Sequence, residues 1–256
     1  MDRIENQIYT KNKMIIYTPE QAPQKSLEWL TIRSKCLVTA SDAGPYLIKS
    51  DKVSVAARRK RILQFLCADC YRYGDPFLTD LKAKEQKGME YNIPVQRGNH
   101  YEAEAITSLA EIIGREITPV GIITTDDGLF GASPDGVVGE DAGVECKVPL
   151  PETHLSYLLE HAETGEMISD YLYQVHFNLA ISGRKVWHFY SHSVKRAEDA
   201  PEWVEHPPLH IEVKSNSLTE QLIAGMDAMR QEFREIRGKL AHMRQSAFAG
   251  TAEVKP

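Results

Sequence analysis

With 256 residues and 42% hydrophobic side chains, the chain is long enough to bury a core of its own. Its net charge of −6 argues against a protein that coats nucleic acid through a general basic field, and no apolar run reaches membrane-spanning length. Four cysteines (Cys36, Cys67, Cys70 and Cys146) and an N-terminus without the pattern of a secretory signal suit free thiols in a reducing, cytoplasmic setting.

Residues 1–22 are polar and punctuated by prolines, which predicts an irregular arm, taken here as reaching residue 25. Ser26 is placed to cap a short helix through Arg33, and Val38-Thr39-Ala40-Ser41-Asp42 begins a second element. From Lys52 to Tyr73 an amphipathic pattern (Val55, Ile62, Leu63, Phe65, Leu66) predicts a helix stopped by Gly74-Asp75-Pro76. Lys82–Gly88 reads as exposed loop or a short helix. The next helix is expected over Gly98 to Gly114, with Tyr101, Ala105, Leu109 and Ile112 on its apolar side. Strands follow at roughly 117–124, 129–133 and 143–148, with Asp126-Asp127-Gly128 as the turn between the first two. A helix over Ser169–Ile181 ends at Ser182-Gly183. Strands at Lys185–His192 and Leu209–Val213 come next, the former contributing Trp187, Phe189 and Tyr190 to the core. A long helix then runs from Asn216 or Ser217 to about Met243. Helix, three-stranded meander, helix and strand make an α/β sandwich over residues 26–215. Residues 216–256 form a terminal helix and tail that packs on this core or on a neighbouring subunit.

The chemistry concentrates at Ser133-Pro134-Asp135-Gly136, followed by Glu145-Cys146-Lys147. Alternate side chains of a strand share a face, so Glu145 and Lys147 point together while Val144, Cys146 and Val148 point the other way. Gly136, Gly139, Glu140, Asp141 and Gly143 read as a hairpin turn that folds Asp135 back beside Glu145. Two hard carboxylates can hold one Mg²⁺ with waters completing the octahedron, and the ammonium of Lys147 can orient a water and offset charge on a phosphate. Such a group suits a metal-dependent phosphodiesterase; a surface hairpin with ordinary charges is the plainer alternative. Glu102, early in the helix after Arg97-Gly98, is a further candidate, with Glu104 and Glu111 as its alternatives and a helix-dipole role as the plain one.

Six motifs occur in order: Trp29-Leu30-Thr31-Ile32-Arg33, Thr39-Ala40-Ser41, Gly98-Asn99-His100-Tyr101-Glu102, Ser133-Pro134-Asp135-Gly136, Glu145-Cys146-Lys147 and Tyr173-Gln174-Val175. In this order and spacing the chain resembles the YqaJ-type viral recombinase family, the family of phage lambda exonuclease in the PD-(D/E)xK nuclease superfamily, over about residues 26–195. The resemblance implies a restriction-endonuclease-like core, a central mixed β-sheet flanked by helices, with helices added at both ends. It implies Asp135 and Glu145 as metal ligands with the main-chain carbonyl of Cys146, Lys147 as the group that positions water, and Glu102 at a second metal or its waters. Arg33 and Ser41 match positions that hold a 5′-phosphate, and Gln174 a glutamine beside the metal. It further implies a Mg²⁺-dependent 5′-to-3′ exonuclease on double-stranded DNA ends, with Mn²⁺ as a substitute ion. Such an enzyme leaves 3′ single-stranded tails, forms a ring of three subunits and works with a single-strand annealing protein.

Other patterns carry less. Arg58-Arg59-Lys60-Arg61 reads as a solvated helix face, with DNA contact as the alternative. Cys67-x-x-Cys70 lies inside a helical pattern with no second pair, which leaves a zinc or redox role unsupported. His206 and His210 sit in a proline loop without metalloprotease spacing. A restriction- or resolvase-type endonuclease, and a catalytically silent DNA-binding scaffold, remain the rival functions of the same core.

Overall fold

The computed structural model describes residues 14–48, 51–68, 92–195, 198–199, 201–202 and 205–249. The Gly74-Asp75-Pro76 helix stop, the Lys82–Gly88 loop and Cys70 of the Cys67-x-x-Cys70 pair lie outside the described residues.

Strand β1 (Met14–Tyr17) is followed by α1 (Leu27–Ser34), whose N-cap Ser26 accepts from the Trp29 N–H at 3.2 Å. Then come β2 (Val38–Thr39), a 3₁₀ turn over Ala40–Asp42, α2 (Ala43–Leu47) and α3 (Asp51–Leu66). The helix expected from Gly98 begins earlier: α4 spans Ile93–Ile113 and is capped by Asn92. Pro94 stands in its first turn, where the missing N–H costs nothing. Strands β3 (Ile122–Thr125), β4 (Phe130–Ala132), β5 (Gly136–Val138) and β6 (Ala142–Lys147) precede α5 (Pro151–Thr164) and α6 (Ser169–Ser182). The chain closes with β7 (Val186–Ser191), β8 (Leu209–Lys214) and α7 (Ser217–Ala249).

The strands form two four-stranded mixed sheets, in the orders β1-β3-β4-β2 and β5-β6-β7-β8. The expected meander is therefore divided: β3 and β4 pair in one sheet, while β6 pairs with β5 in the other. A short bridge between Thr118 and Val137 links the two. Part of the N-terminal arm is also ordered, because Met14–Tyr17 pairs antiparallel with Thr125–Ile122 at the sheet edge. Four residues are too few to display a strand period, so only the partner strand reveals them.

Helix α4 covers one face of the second sheet, where Ala105 and Leu109 meet Val138, Val144, Cys146 and Tyr190. On the other face, Val175 and Leu179 of α6 and Tyr157 of α5 pack on Trp187 and Phe189. Gly143 lies beneath Trp187, where a Cβ would come within 2.3 Å of the indole. The first half of α7 buries Leu222, Met226, Met229 and Phe233 against Leu47, Ile62, Phe130 and Phe177, whereas Leu240 and Met243 are exposed.

Gly225 and Gly238 share α7 but meet different surroundings: a Cβ at Gly225 would lie 2.1 Å from the Leu47 carbonyl oxygen, while one at Gly238 meets nothing within 4 Å. Gly225→Ala is expected to destabilise by about 1–3 kcal/mol through overpacking. Gly238→Ala is expected to stabilise by up to about 1 kcal/mol, as in an open helix interior. Urea denaturation of the two variants checks the opposite signs.

Candidate active site

The alternation of β6 sets the site. Val144 and Cys146 face α4, and Glu145 and Lys147 face α6, where Glu145 is only 2% exposed. A buried carboxylate needs partners. Lys147 Nζ forms an ion pair with Glu145 Oε1, Gln174 Nε2 donates to the same oxygen at 2.5 Å, and Asn178 Nδ2 donates to Oε2 at 3.2 Å. Gln174 and Asn178 are four residues apart on α6, hence on one face of it.

Asp135 precedes β5 at the open end of the sheet. Its N–H donates to the Val144 carbonyl at 3.2 Å, and its Oδ2 accepts from the Cys146 N–H at 2.6 Å. In a strand the N–H and C=O of one residue point to the same side, so the Cys146 carbonyl faces the Asp135 side. The Lys147 carbonyl faces the other way, accepting from the His192 N–H at 2.7 Å. Burial, and then the neighbouring Glu145, push the Asp135 carboxyl up to about 7. For Lys147, burial favours the neutral amine, but Glu145 and Asp135 outweigh it and hold the ammonium above its ordinary value. Burial raises the Cys146 thiol strongly, so the thiol stays protonated and the carbonyl is the donor that residue offers.

Asp135, Cys146 and Lys147 border a cleft of about 460 Å³ together with Glu102, Asn99, Tyr157 and Tyr171. The Lys147 ammonium lies 5.3 Å from the Tyr171 ring centroid. Of the three glutamates considered on α4, Glu102 borders this cleft. Glu104 bonds His192 at 3.0 Å and, with Glu111, lines a separate hollow. Among the described residues no group of three or more His, Cys, Asp or Glu side chains is gathered tightly enough to hold a metal ion. The donor set available to a cation is instead two carboxylates and a main-chain carbonyl, which suits a hard ion that keeps several waters.

Arg33 and Ser41 come together, but beside this cleft rather than in it. Arg33 Nη2 is 3.4 Å from Ser41 Oγ and 3.3 Å from Thr39 Oγ1. Burial lowers the affinity of the Arg33 guanidinium for its proton. With Arg61 and Gln64, Arg33 lines a neighbouring hollow of about 410 Å³. Trp29 joins the two regions: Arg33 lies 5.0 Å from its ring centroid, and its indole N–H donates to Ser133 Oγ at 2.8 Å. Within the basic run, Arg58 and Arg61 donate to the Tyr46 and Leu37 carbonyls, and Arg59 and Lys60 are exposed.

Three contributors were not foreseen from the sequence. Asn178 holds the second Glu145 oxygen, and its place one turn after Gln174 is the signal that points to it. Arg97 Nη1 donates to the Val148 and Pro149 carbonyls at 3.0 and 2.5 Å, fixing the exit of β6. Gln24 Nε2 bridges the Val120 and Pro134 carbonyls at 3.2 and 3.0 Å, bracing the residue before Asp135.

The mixed α/β fold, with mixed sheets flanked by helices, is of the restriction-endonuclease-like class, and solved alkaline exonucleases share the fold. An alkaline exonuclease from Laribacter hongkongensis, LHK-Exo, is 23% identical, with a TM-score of 0.55 over 85% of this chain and 100% of that one. The structure of LHK-Exo in complex with dAMP aligns at 24% identity with the same TM-score of 0.55 and the same coverage of 85% and 100%. The profile of the YqaJ-like viral recombinase domain matches residues 28–185. The chain belongs to this family. Among curated proteins none matches the sequence.

Gln174 and Asn178 act on one carboxylate, so their effects on stability should be coupled. Gln174→Ala and Asn178→Ala are each expected to cost about 1–3 kcal/mol, with the double variant departing from the sum by at least about 0.5 kcal/mol. Chemical denaturation of the cycle checks this; strict additivity contradicts the shared role.

Proposed function

We propose that the protein is a divalent-metal-dependent 5′-to-3′ exodeoxyribonuclease that acts on double-stranded DNA ends. It leaves 3′ single-stranded tails for a single-strand annealing protein, in the cytoplasm of a bacterial host. The observation that carries this reading is that Asp135 and Lys147 border one cleft and Lys147 is paired there with the buried Glu145, Asp135 being held by the Cys146 N–H and Glu145 by Lys147, Gln174 and Asn178. Family membership supports it. The capture of LHK-Exo with dAMP, a deoxynucleoside monophosphate of the kind stepwise hydrolysis releases, is consistent with it.

In this reading Asp135, Glu145 and the Cys146 carbonyl hold the ion, which is Mg²⁺ with Mn²⁺ as a substitute. Glu102 supports a second ion or the waters around it. When bound, the ion supplies Lewis acidity to the scissile phosphate and lowers the pKa of water. Lys147 orients the attacking water and offsets charge that develops on the phosphate. Gln174 and Asn178 hold the Glu145 carboxylate in one rotamer, so that its geometry is set before substrate arrives. Arg33, one turn of α1 beyond Trp29, and Ser41, in the 3₁₀ turn beside it, grip the terminal 5′-phosphate and give the enzyme its polarity. Three copies forming a ring would keep the duplex in place between cuts.

Lys147→Ala is expected to retain DNA and metal binding while hydrolysis falls by about a hundredfold or more. The defining assay compares 5′-phosphorylated linear duplex with its unphosphorylated and circular counterparts, with Mg²⁺ and with chelator. Metal-dependent release of nucleotides from the phosphorylated linear DNA is the expected result. Nicking of the circle points to an endonuclease, and no release from any substrate to a binding scaffold.

Metal binding should also report on Asp135. Its carboxyl stands near 7 without metal, and a ligand carboxylate must be deprotonated. Affinity for Mg²⁺ is therefore expected to rise with pH through that value and then level off. Each ion bound should release up to about one proton below the midpoint and almost none near about pH 9. Calorimetry in buffers of different ionisation enthalpy measures this; proton release that does not change with pH contradicts it.

A further inference from the structure

Lys25 is the one non-glycine among the described residues with φ in the left-handed region, at 71°. The reason is local. The Ser26 N–H donates to the Pro23 carbonyl at 2.9 Å, closing a turn whose third residue is Lys25. A turn with positive φ at that place favours glycine or asparagine. The turn is also fixed in space, because the Gln24 side chain ties it to the Val120 and Pro134 carbonyls. Lys25 is thus held beside the wall that carries Asp135, and its side chain reaches across to the opposite wall. There Nζ donates to Asn99 Oδ1 at 2.8 Å and stands 3.6 Å from Glu102 Oε2, both on residues that border the cleft.

Stability does not account for a lysine here. The pair with Glu102 is loose, its side chains are 59% and 37% exposed, and exposed pairs of this kind contribute little. Left-handed backbone at a non-glycine residue has a cost of its own. Meanwhile the border of the cleft carries two acids, Glu102 and Asp135, so a phosphodiester needs cations to approach it. Among the described residues, two other cations close by are engaged: Lys147 with Glu145, and Arg97 with two main-chain carbonyls. Lys25 is a cation at the rim whose exposed partners a phosphate oxygen can replace.

We propose that Lys25 is a substrate-binding residue that contacts a DNA backbone phosphate at the mouth of the cleft. The Gln24-braced turn pre-positions it, and its backbone strain persists because the ammonium is needed there. This rests on the nuclease reading of the site. The contact carries no sequence information; it adds affinity and sets where the strand enters.

The test is Lys25→Gly, which removes the charge and relieves the backbone, with Lys25→Asn as a second neutral variant tolerant of left-handed φ and Lys25→Arg as the charge-keeping control. Affinity for a 5′-phosphorylated duplex is measured over a salt series with Mg²⁺ in the Lys147→Ala background, where hydrolysis is expected to be slowed by about a hundredfold or more. The Gly and Asn variants should bind more weakly, with the slope of log Kd against log salt reduced by about 1. Lys25→Arg should keep the slope. With Lys147 intact, KM for duplex should rise several-fold while kcat stays within about twofold, as for loss of uniform binding. The Tm of Lys25→Gly should be unchanged or higher. An unchanged salt slope with a lowered Tm means that Lys25 only braces the fold, and overturns the proposal. Degradation of duplex by the unsubstituted protein, run in parallel, separates the two claims. Degradation together with an unchanged slope in both neutral variants removes Lys25's role alone; no binding or degradation by the unsubstituted protein removes the nuclease reading as well.

Discussion

Two carboxylates placed side by side at the end of a sheet, one of them almost wholly buried, are the constraint around which this molecule is organised. Desolvation, and then repulsion by Glu145, oppose ionisation of Asp135. The rise of the Asp135 carboxyl to about 7 is the visible consequence. Glu145 is kept in place by an ammonium and two side-chain amides, and Asp135 by a main-chain N–H. Each of those donors comes from a position that the fold has to fix. The alternation of β6 sends Lys147 to the same face as Glu145, and the period of α6 brings Gln174 and Asn178 to one stripe. The short β5–β6 hairpin, with Gly136 opposite Val144, brings the Asp135 carboxylate to the Cys146 N–H.

The layers around the second sheet serve the same end. Helix α4 covers the Val144 and Cys146 face with Ala105 and Leu109, and the other face carries Trp187 and Phe189 under α5 and α6. Because Gly143 has no side chain, Trp187 fills the space beside the strand that bears Glu145. Arg97 adds a brace where β6 leaves the sheet, and Gln24 one where the chain approaches Asp135. Neither touches the carboxylates, yet both limit how far the acids can drift apart.

Much of this was legible in the sequence. The period of 3.6 over Tyr101, Ala105 and Leu109 and the alternation through Val144, Cys146 and Val148 mark α4 and β6 without any partner information. What escaped has physical causes. Pro94 and Pro151 look like breaks in a linear reading, but both stand in the first turn of a helix, where a missing N–H is harmless. Helix α5 (Pro151–Thr164) has no counterpart among the elements expected from the sequence, and α4 begins at Ile93 rather than Gly98. β1 and β5 are three or four residues long, so tertiary pairing rather than local pattern defines them. The basic run at Arg58–Arg61 reads as one feature in sequence, yet Arg58 and Arg61 satisfy main-chain carbonyls while Arg59 and Lys60 face solvent. Only the carbonyls' positions in space separate those roles. Likewise Arg33 and Ser41 are readable as a pair, but not that Arg33 lines a hollow of its own and stacks on Trp29, whose indole bonds Ser133 two residues before Asp135.

The central claim is that Asp135, Glu145 and the Cys146 carbonyl are built to share one hard cation. Anomalous diffraction from crystals grown with Mn²⁺ tests this most directly. A peak bonded to both carboxylates and to that carbonyl is the result the account predicts. A peak elsewhere, or none at saturating Mn²⁺ while Lys147 keeps its grip on Glu145, contradicts it.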